Sequence, residues 1–190
     1  MAKQETVEIR VARQEDGASI LSMLHDLAAW EVSPNPPQLS QSALETDVFV
    51  DNPKLHILIA TNSYGENIGF LSYYQNYSSW EGATGLHIGD LWVSPGWRRH
   101  GVATKLLNRV TDANRLHRID VFVVKDNNAR FFYERLGFEE QTQWTIYRLH
   151  PIPGSVGCFL QETQVPVRNP ALIRERLFHP FVLLAGVLVQ

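Results

Sequence analysis

The chain has almost no cysteine, no long apolar run and little net charge, and each shortage removes a class of protein. Its single cysteine, Cys158, leaves no partner for an intrachain disulfide and excludes a cysteine-based zinc site. That usage suits a reducing compartment, and no metal is expected. The longest apolar run, residues 181–189, falls far short of the roughly 20 residues that a spanning helix needs. The opening residues, MAKQETVEIR, lack the apolar centre of a signal peptide. A cytoplasmic protein with no membrane segment is therefore expected. A net charge of -3 argues against a general nucleic-acid binder.

Of the 190 residues, 44% are hydrophobic and 19% charged. These are the proportions of a soluble globular protein, and the length suffices for one ordinary domain with an appendage. Residues 6–12 alternate Val7, Ile9 and Val11 with Glu8 and Arg10, the period of a half-buried strand. Residues 16–30 set Ile20, Leu24 and Leu27 on one helical face, flanked by Leu21 and Ala28. Pro34-Asn35-Pro36-Pro37 is a stiff break, and Ser40 is the expected N-cap of a short helix running through Leu44 to about residue 50. Strands over 54–61, 67–77 and 86–93, with turns at 62–65 and 78–84, predict an antiparallel meander. Residues 119–124 are a nearly continuous apolar run suited to a central strand. Residues 127–136 read as a helix ended by Gly137, and 138–149 supply one or two last strands. The order predicts an α/β domain with a mixed sheet over residues 1–150, without internal repeats. From residue 151 the character changes: five of the ten prolines fall there and lysine is absent. Residues 170–177 suit a short helix. Residues 181–189 suit a strand, an arm on a neighbour, or a hydrophobic tail, and the sequence does not choose among them.

Chemistry concentrates in residues 86–115, LHIGDLWVSPGWRRHGVATKLLNRVTDANR. A strand breaks at Ser94-Pro95-Gly96 and turns through Arg98-Arg99-His100-Gly101-Val102-Ala103 into an amphipathic helix, with Val102, Leu106, Leu107 and Val110 facing inward. The first amides of a helix are free, and the positive end of its dipole points outward, so this start can receive a pyrophosphate. Gly101 admits close backbone approach, Ala103 keeps the entry uncrowded, Arg98 and Arg99 add charge, and Thr104 adds a hydroxyl. Taken alone, the same residues suit a basic helix start on the surface.

Two motifs together resemble the GNAT superfamily of acyl-CoA-dependent N-acetyltransferases, over about residues 7–149. Arg98-x-x-Gly101-x-Ala103, after a strand ending Val93-Ser94-Pro95, matches the family's Q/R-x-x-G-x-G/A. Ala129-x-x-x-Tyr133-x-x-x-Gly137-Phe138 matches its late helix. Within the superfamily the chain looks most like the spermidine/spermine and diamine branch, thialysine-type members included. Leu27-Ala28-Ala29-Trp30-Glu31, Tyr73-Tyr74-x-x-Tyr77-x-x-Trp80 and Trp144 carry that likeness.

The resemblance implies a mixed, mostly antiparallel central sheet flanked by helices, with the motif strand and the strand at 119–124 splayed apart. It implies acetyl-CoA as co-substrate, its pantetheine arm in the gap beside Leu91, Trp92 and Val93, and its pyrophosphate on residues 98–104. It implies a small-molecule amine as acceptor and a homodimer. Tyr133 stands at the general-acid position, facing the departing sulfur; packed beside Phe131 and Phe132, it also suits a core tyrosine. The branch carries Glu-Asp in the motif strand, and this chain has Gly89-Asp90. In a regular strand Asp90 points away from Gly89 unless a bulge intervenes, whereas His87 shares the face of Gly89. His87 is thus a candidate base working through water, Asp90 a substrate-contacting anion, and Glu31 a second anion for a cationic amine. Where the family often has Asn, three residues before the helix's Ala, stands Asp126; Asn127 is the neighbouring candidate for the pantetheine. Trp30, Tyr77, Trp80 and Trp144 are candidate walls of an amine channel, or ordinary core and interface aromatics. Three functions fit: a small-molecule N-acetyltransferase, the same chemistry on a protein lysine or N-terminus, and a non-catalytic acyl-CoA-binding regulatory module.

Overall fold

The computed structural model describes residues 6–112 and 118–148. The readings for Cys158, 170–177 and 181–189 lie outside them. The chain divides into residues 1–139 and 140–190, which are described separately.

In the first unit the elements run β1 (Glu8–Val11), α1 (Gly17–Trp30), α2 (Gln41–Asp47), β2 (His56–Thr61), β3 (Asn67–Ser78), β4 (Ala83–Val93), α3 (Val102–Asp112), β5 (Ile119–Val121) and α4 (Arg130–Arg135). The strands form one five-stranded sheet in sequence order. Its pairings are antiparallel except the last, where β5 lies parallel to β4. A mixed, mostly antiparallel sheet flanked by helices is thus what the sequence forms.

Each face of the sheet carries its own core. On one, Val102, Leu106, Leu107 and Val110 of α3 pack on Leu58, Leu71, Leu86, Ile88 and Val93. All four helix residues are buried, as the amphipathic pattern requires, and each contributes on the order of 1.5–3 kcal/mol by leaving water. On the other face, Ile20 and Met23 of α1 and Leu44 and Val48 from α2 pack on Ile57, Ile59, Phe70 and Trp92.

Local chemistry fixes the ends of the elements. The Asp16 carboxylate pairs bidentately with Arg10 at 2.6 and 2.8 Å, accepts from the Arg13 amide at 2.7 Å and accepts from Asn67 at 3.0 Å. One buried acid thus ties β1, the start of α1 and β3 together. Helix α2 begins where the Ser40 hydroxyl accepts from the Ala43 amide at 3.2 Å, the expected N-cap. Helix α1 ends in a Schellman turn, with Ser33 N–H bonded to Ala28 O and Val32 N–H to Ala29 O. Val32 occupies the left-handed position at φ 52°, where glycine is usual. Helix α4 ends in the same motif, with Phe138 N–H on Tyr133 O and Gly137 N–H on Glu134 O. Here Gly137 takes the left-handed position at φ 88°, as its place after the helix predicts.

Two expectations are corrected. Strand β5 is three residues long and forms the described edge of the sheet, not a central strand. It pairs with β4 only over Leu86–Ile119 to Ile88–Val121, and beyond that point Phe122 and Val124 are exposed for want of a ladder. Residues 138–148 form no strand. The polar run Glu139-Glu140-Gln141-Thr142-Gln143 breaks the alternation that a half-buried strand needs, and Trp144 N–H closes a turn on Gln141 O.

Candidate active site

The centre of β4 is bulged. Leu71 pairs with Leu91 and Tyr73 with Ile88, so Ser72 alone faces both Gly89 and Asp90. The bulge reverses the pleat. Before it, Leu86 and Ile88 face the α3 core; after it, Leu91 and Val93 do, while Trp92 faces α1. His87 and Asp90 therefore share the α1 face, and the opposition expected from regular alternation is cancelled by the extra residue.

Asp90 is held there by Ser72, whose hydroxyl donates to Asp90 Oδ2 at 2.6 Å and accepts from the Asp90 amide at 2.9 Å. Asp90 lines an open cleft of about 350 Å³ with Glu31, under the apolar side chains of Leu24, Leu27, Leu39 and Leu55. Leu24 and Leu27 lie on the predicted inner face of α1 yet are only partly buried, because they wall this cleft. Burial and then the charge of Asp90 raise the Glu31 carboxyl above the ordinary range. Tyr133 is 8% exposed and packs edge-on against Phe132 and Phe138 at 5.2 and 5.4 Å between ring centres. Its phenol is pushed up to about 12, first by burial, then by the charges of Glu31 and Asp90. Glu31, Asp90 and Tyr133 are thus one electrostatic group, assembled from the end of α1, the bulge of β4 and helix α4.

Beside them, β4 runs on past its pairing with β5. From Gly89 to Val93 its outer side has no strand partner among the described residues, which is the splay that the resemblance implies. The strand then enters a 3-10 turn, Pro95–Trp97, and a loop in which Arg99 (φ 68°) and Gly101 (φ 76°) are left-handed. Lys105 N–H on Gly101 O is the first bond of α3, so the amides of Val102, Ala103 and Thr104 have no helical acceptor. Free amides in a left-handed turn at a helix N-terminus are a concave anion site. The guanidinium of Arg98 is engaged elsewhere: it lies over the rings of Trp30 and Trp92 at 4.0 and 4.6 Å, and its Nε donates to Val93 O at 3.0 Å. The His100 ring bonds Arg98 O at 2.8 Å.

A family profile described as "Acetyltransferase (GNAT) family" matches residues 21–138, well over half the chain. The chain belongs to the GNAT family of acetyltransferases. A thialysine N-epsilon-acetyltransferase from Mus musculus is 32% identical over 114 residues, covering 56% of this chain and 66% of that protein, just under two thirds of its length. Its Bos taurus counterpart is 28% identical over 156 residues, covering 75% of this chain and 91% of that one. These relatives lie in the branch that the sequence resembles. Among solved structures, one described as a possible acetyltransferase from Clostridium difficile 630 shares the fold. It has a TM-score of 0.63 at 23% identity, over 77% of this chain and 98% of that one.

The remaining predicted residues of this GNAT chain fall in different places. His87 is buried, with its ring against Tyr74 and Phe122 at 5.0 and 4.3 Å, and it does not line the cleft. Burial lowers its pKa against the opposing charge of Asp120, so it is neutral at neutral pH. Asn127 spends its side-chain oxygen on the Ala129 amide at 2.8 Å, starting α4. Trp80 is 70% exposed in the β3–β4 turn. Strand β4 rises about 3.4 Å per residue from Ala83, so Trp80 stands roughly 20 Å from Asp90. Trp144 lies in the second unit with its indole 75% exposed. Sequence reasoning missed Ser72. A lone serine in an apolar strand carries no motif, and only its pairing across the bulge reveals it. Among the described residues there is no group of acidic, histidine or cysteine side chains able to hold a metal, and no helix long and apolar enough to cross a membrane.

Proposed function

We propose that the protein moves an acetyl group from acetyl-CoA to the primary amine of a small cationic molecule such as thialysine, a diamine or a polyamine. The domain carrying this chemistry is assigned to residues 1–150, with 151–190 an extension, and the enzyme acts as a homodimer. The observation that carries the reading is the pairing of Glu31 and Asp90 in one cleft, with the buried Tyr133 phenol near enough to feel both charges, beside the unpaired length of β4. Acetyl-CoA fits the second half of the site: the pyrophosphate meets the amides of Val102 to Thr104 and the charge of Arg99, and the pantetheine meets the free edge from Leu91 to Val93. Arg98, held on two indoles, contributes by fixing this turn against α1.

The acceptor arrives as an ammonium, since a lysine-like amine has a pKa of about 10.4. Two carboxylates attract it, and the apolar wall receives its methylenes. Glu31, with its raised pKa, takes the proton that must leave before attack. The amine nitrogen then forms a bond to the thioester carbon, the carbon–sulfur bond breaks, and the sulfur takes a proton from Tyr133. The phenol is protonated throughout the physiological range and so is always available as donor. The nitrogen's second proton, lost as the amide forms, returns through water to the phenolate, and the proton held by Glu31 leaves to bulk water. Products are the acetamide, CoA thiol and one proton.

A panel of diamines, polyamines and lysine analogues with acetyl-CoA tests this. Glu31→Gln and Asp90→Asn should each raise KM for cationic acceptors about fivefold or more, the scale of one partly screened ion pair. Binding of acetyl-CoA without transfer to any small amine would refute the acceptor assignment. Transfer only to protein amines would favour a protein acetyltransferase, and no transfer at all a regulatory module.

A further inference from the structure

The glycine at position 89 has a physical counterpart across the strand, the Ser72 hydroxyl. We propose that Ser72 is a positioning residue that aims the Asp90 carboxylate into the cleft, and that Gly89 is required because the Ser72 hydroxyl fills the space of a side chain there. The inference rests on the reading of Asp90 as the carboxylate that meets the amine.

A serine hydroxyl has one proton and two lone pairs. Ser72 gives the proton to Asp90 Oδ2 at 2.6 Å and accepts the Asp90 amide at 2.9 Å. It therefore grips the same residue at backbone and side chain, which fixes both the bulge and the carboxylate rotamer. Oδ1 has no hydrogen bond among the described residues, and Asp90 lines the cleft, so one oxygen is anchored and the other is available to an amine. Ser72 is 1% exposed, and solvent water does not reach it to replace the hydroxyl. The spacing at Gly89 gives the second half of the argument. A β-carbon built there would lie 2.7 Å from Ser72 Oγ, closer than non-bonded atoms tolerate. Any side chain at position 89 would displace the hydroxyl from Asp90. Glycine 89 and serine 72 are thus a matched pair.

The test is steady-state kinetics on the full chain with acetyl-CoA and the best amine of the panel, with unfolding midpoints measured alongside. Ser72→Ala should lower kcat/KM for the amine about 10- to 100-fold, the worth of a charge-assisted hydrogen bond, and leave KM for acetyl-CoA within about twofold. Ser72→Thr, which keeps the hydroxyl, should recover most of the loss. Gly89→Ala, which keeps Ser72 but evicts its hydroxyl, should reproduce the Ser72→Ala defect in folded protein. The double variant should be no worse than the worse single one, because both lose the same bond. In an Asp90→Asn background the Ser72→Ala effect should shrink to about twofold. Unchanged kcat/KM in Ser72→Ala, additive losses in the double variant, or a full Ser72→Ala effect without the Asp90 carboxylate would each overturn the proposal. Full activity of Asp90→Asn toward the amine would overturn the reading of Asp90 itself, and the proposal with it.

Discussion

Replacing Tyr133 with phenylalanine separates the chemistry of this residue from its packing. The ring makes edge-on contacts with Phe132 and Phe138 at 5.2 and 5.4 Å, and phenylalanine preserves both. What is lost is one hydroxyl, worth about 1 kcal/mol to stability at most, or a few degrees in Tm. A positioned general acid contributes about 10²- to 10⁴-fold in rate, or roughly 3–5 kcal/mol of barrier. Kinetic loss should therefore exceed stability loss several times over. Release of CoA thiol, followed at saturating amine and acetyl-CoA, should show kcat reduced at least 100-fold in Tyr133→Phe, with a thermal midpoint close to that of the parent. The phenol pKa adds a second constraint. At about 12 it keeps its proton well past pH 10, so its ionisation produces no alkaline fall in rate below about pH 11. Burial gives the largest share of that elevation, and the carboxylates of Glu31 and Asp90 the rest. In Glu31→Gln or Asp90→Asn the Tyr133 pKa should move down, read by NMR of 13Cζ-labelled tyrosine. Loss of less than about threefold in kcat, or a pKa unmoved by either substitution, would refute this account of the site.

The Asp16 carboxyl is lowered from 3.8 to about 2, chiefly by its hydrogen bond from Arg10 against the opposing cost of burial. Because the folded value lies below the unfolded one, its contribution of about 2 kcal/mol is complete above pH 4 and lost progressively as pH falls to about 2. Urea unfolding should show Asp16→Asn less stable than the parent at pH 7, with the gap narrowing by pH 2–3; a gap independent of pH would count against the linkage. At the end of α1, Val32→Gly removes a β-branched side chain from the left-handed turn position and should raise stability by about 1 kcal/mol, measured by the same unfolding; a loss would mean that Val32 is unstrained there.

The parts of the fold that were legible in the sequence are those where one residue type answers one local need. Ser40 caps α2, Gly137 closes α4, and the apolar stripe of α3 lies against the sheet, each by rules that act within a few positions. The turn proposed to hold the cofactor draws on neighbours in the same way, since Gly101 and the helix start that follows are consecutive in the chain. The residues proposed for the acceptor side are visible in the sequence, but their arrangement is not. Glu31 and Asp90 were each visible as acids, yet the face of Asp90 depends on a bulge that only pairing with β3 defines. The same holds for Ser72, whose meaning depends on residues 17 and 18 positions away. Arg98 misleads for a different reason. A basic residue beside a turn of free amides suggests charge for the ligand, but Trp30 from α1 and the nearby Trp92 take its guanidinium. The edge position of β5 among the described residues was hidden because a nearly continuous apolar run reads alike in a covered strand and in one that loses its neighbour midway.

The stack of Trp30, Arg98 and Trp92 has an evolutionary consequence. The three residues come from the end of α1, the entry to α3 and the end of β4, and each lies against the other two. Substituting the arginine removes the cation from two indole faces; substituting either indole leaves it on one. Drift at these positions is therefore expected in concert, and lineages that change one should carry a compensating change at another. Such covariation would join the segment that ends in Glu31 to the segment that opens the phosphate turn. Acceptor preference and donor binding would then share mutational history although no side chain serves both.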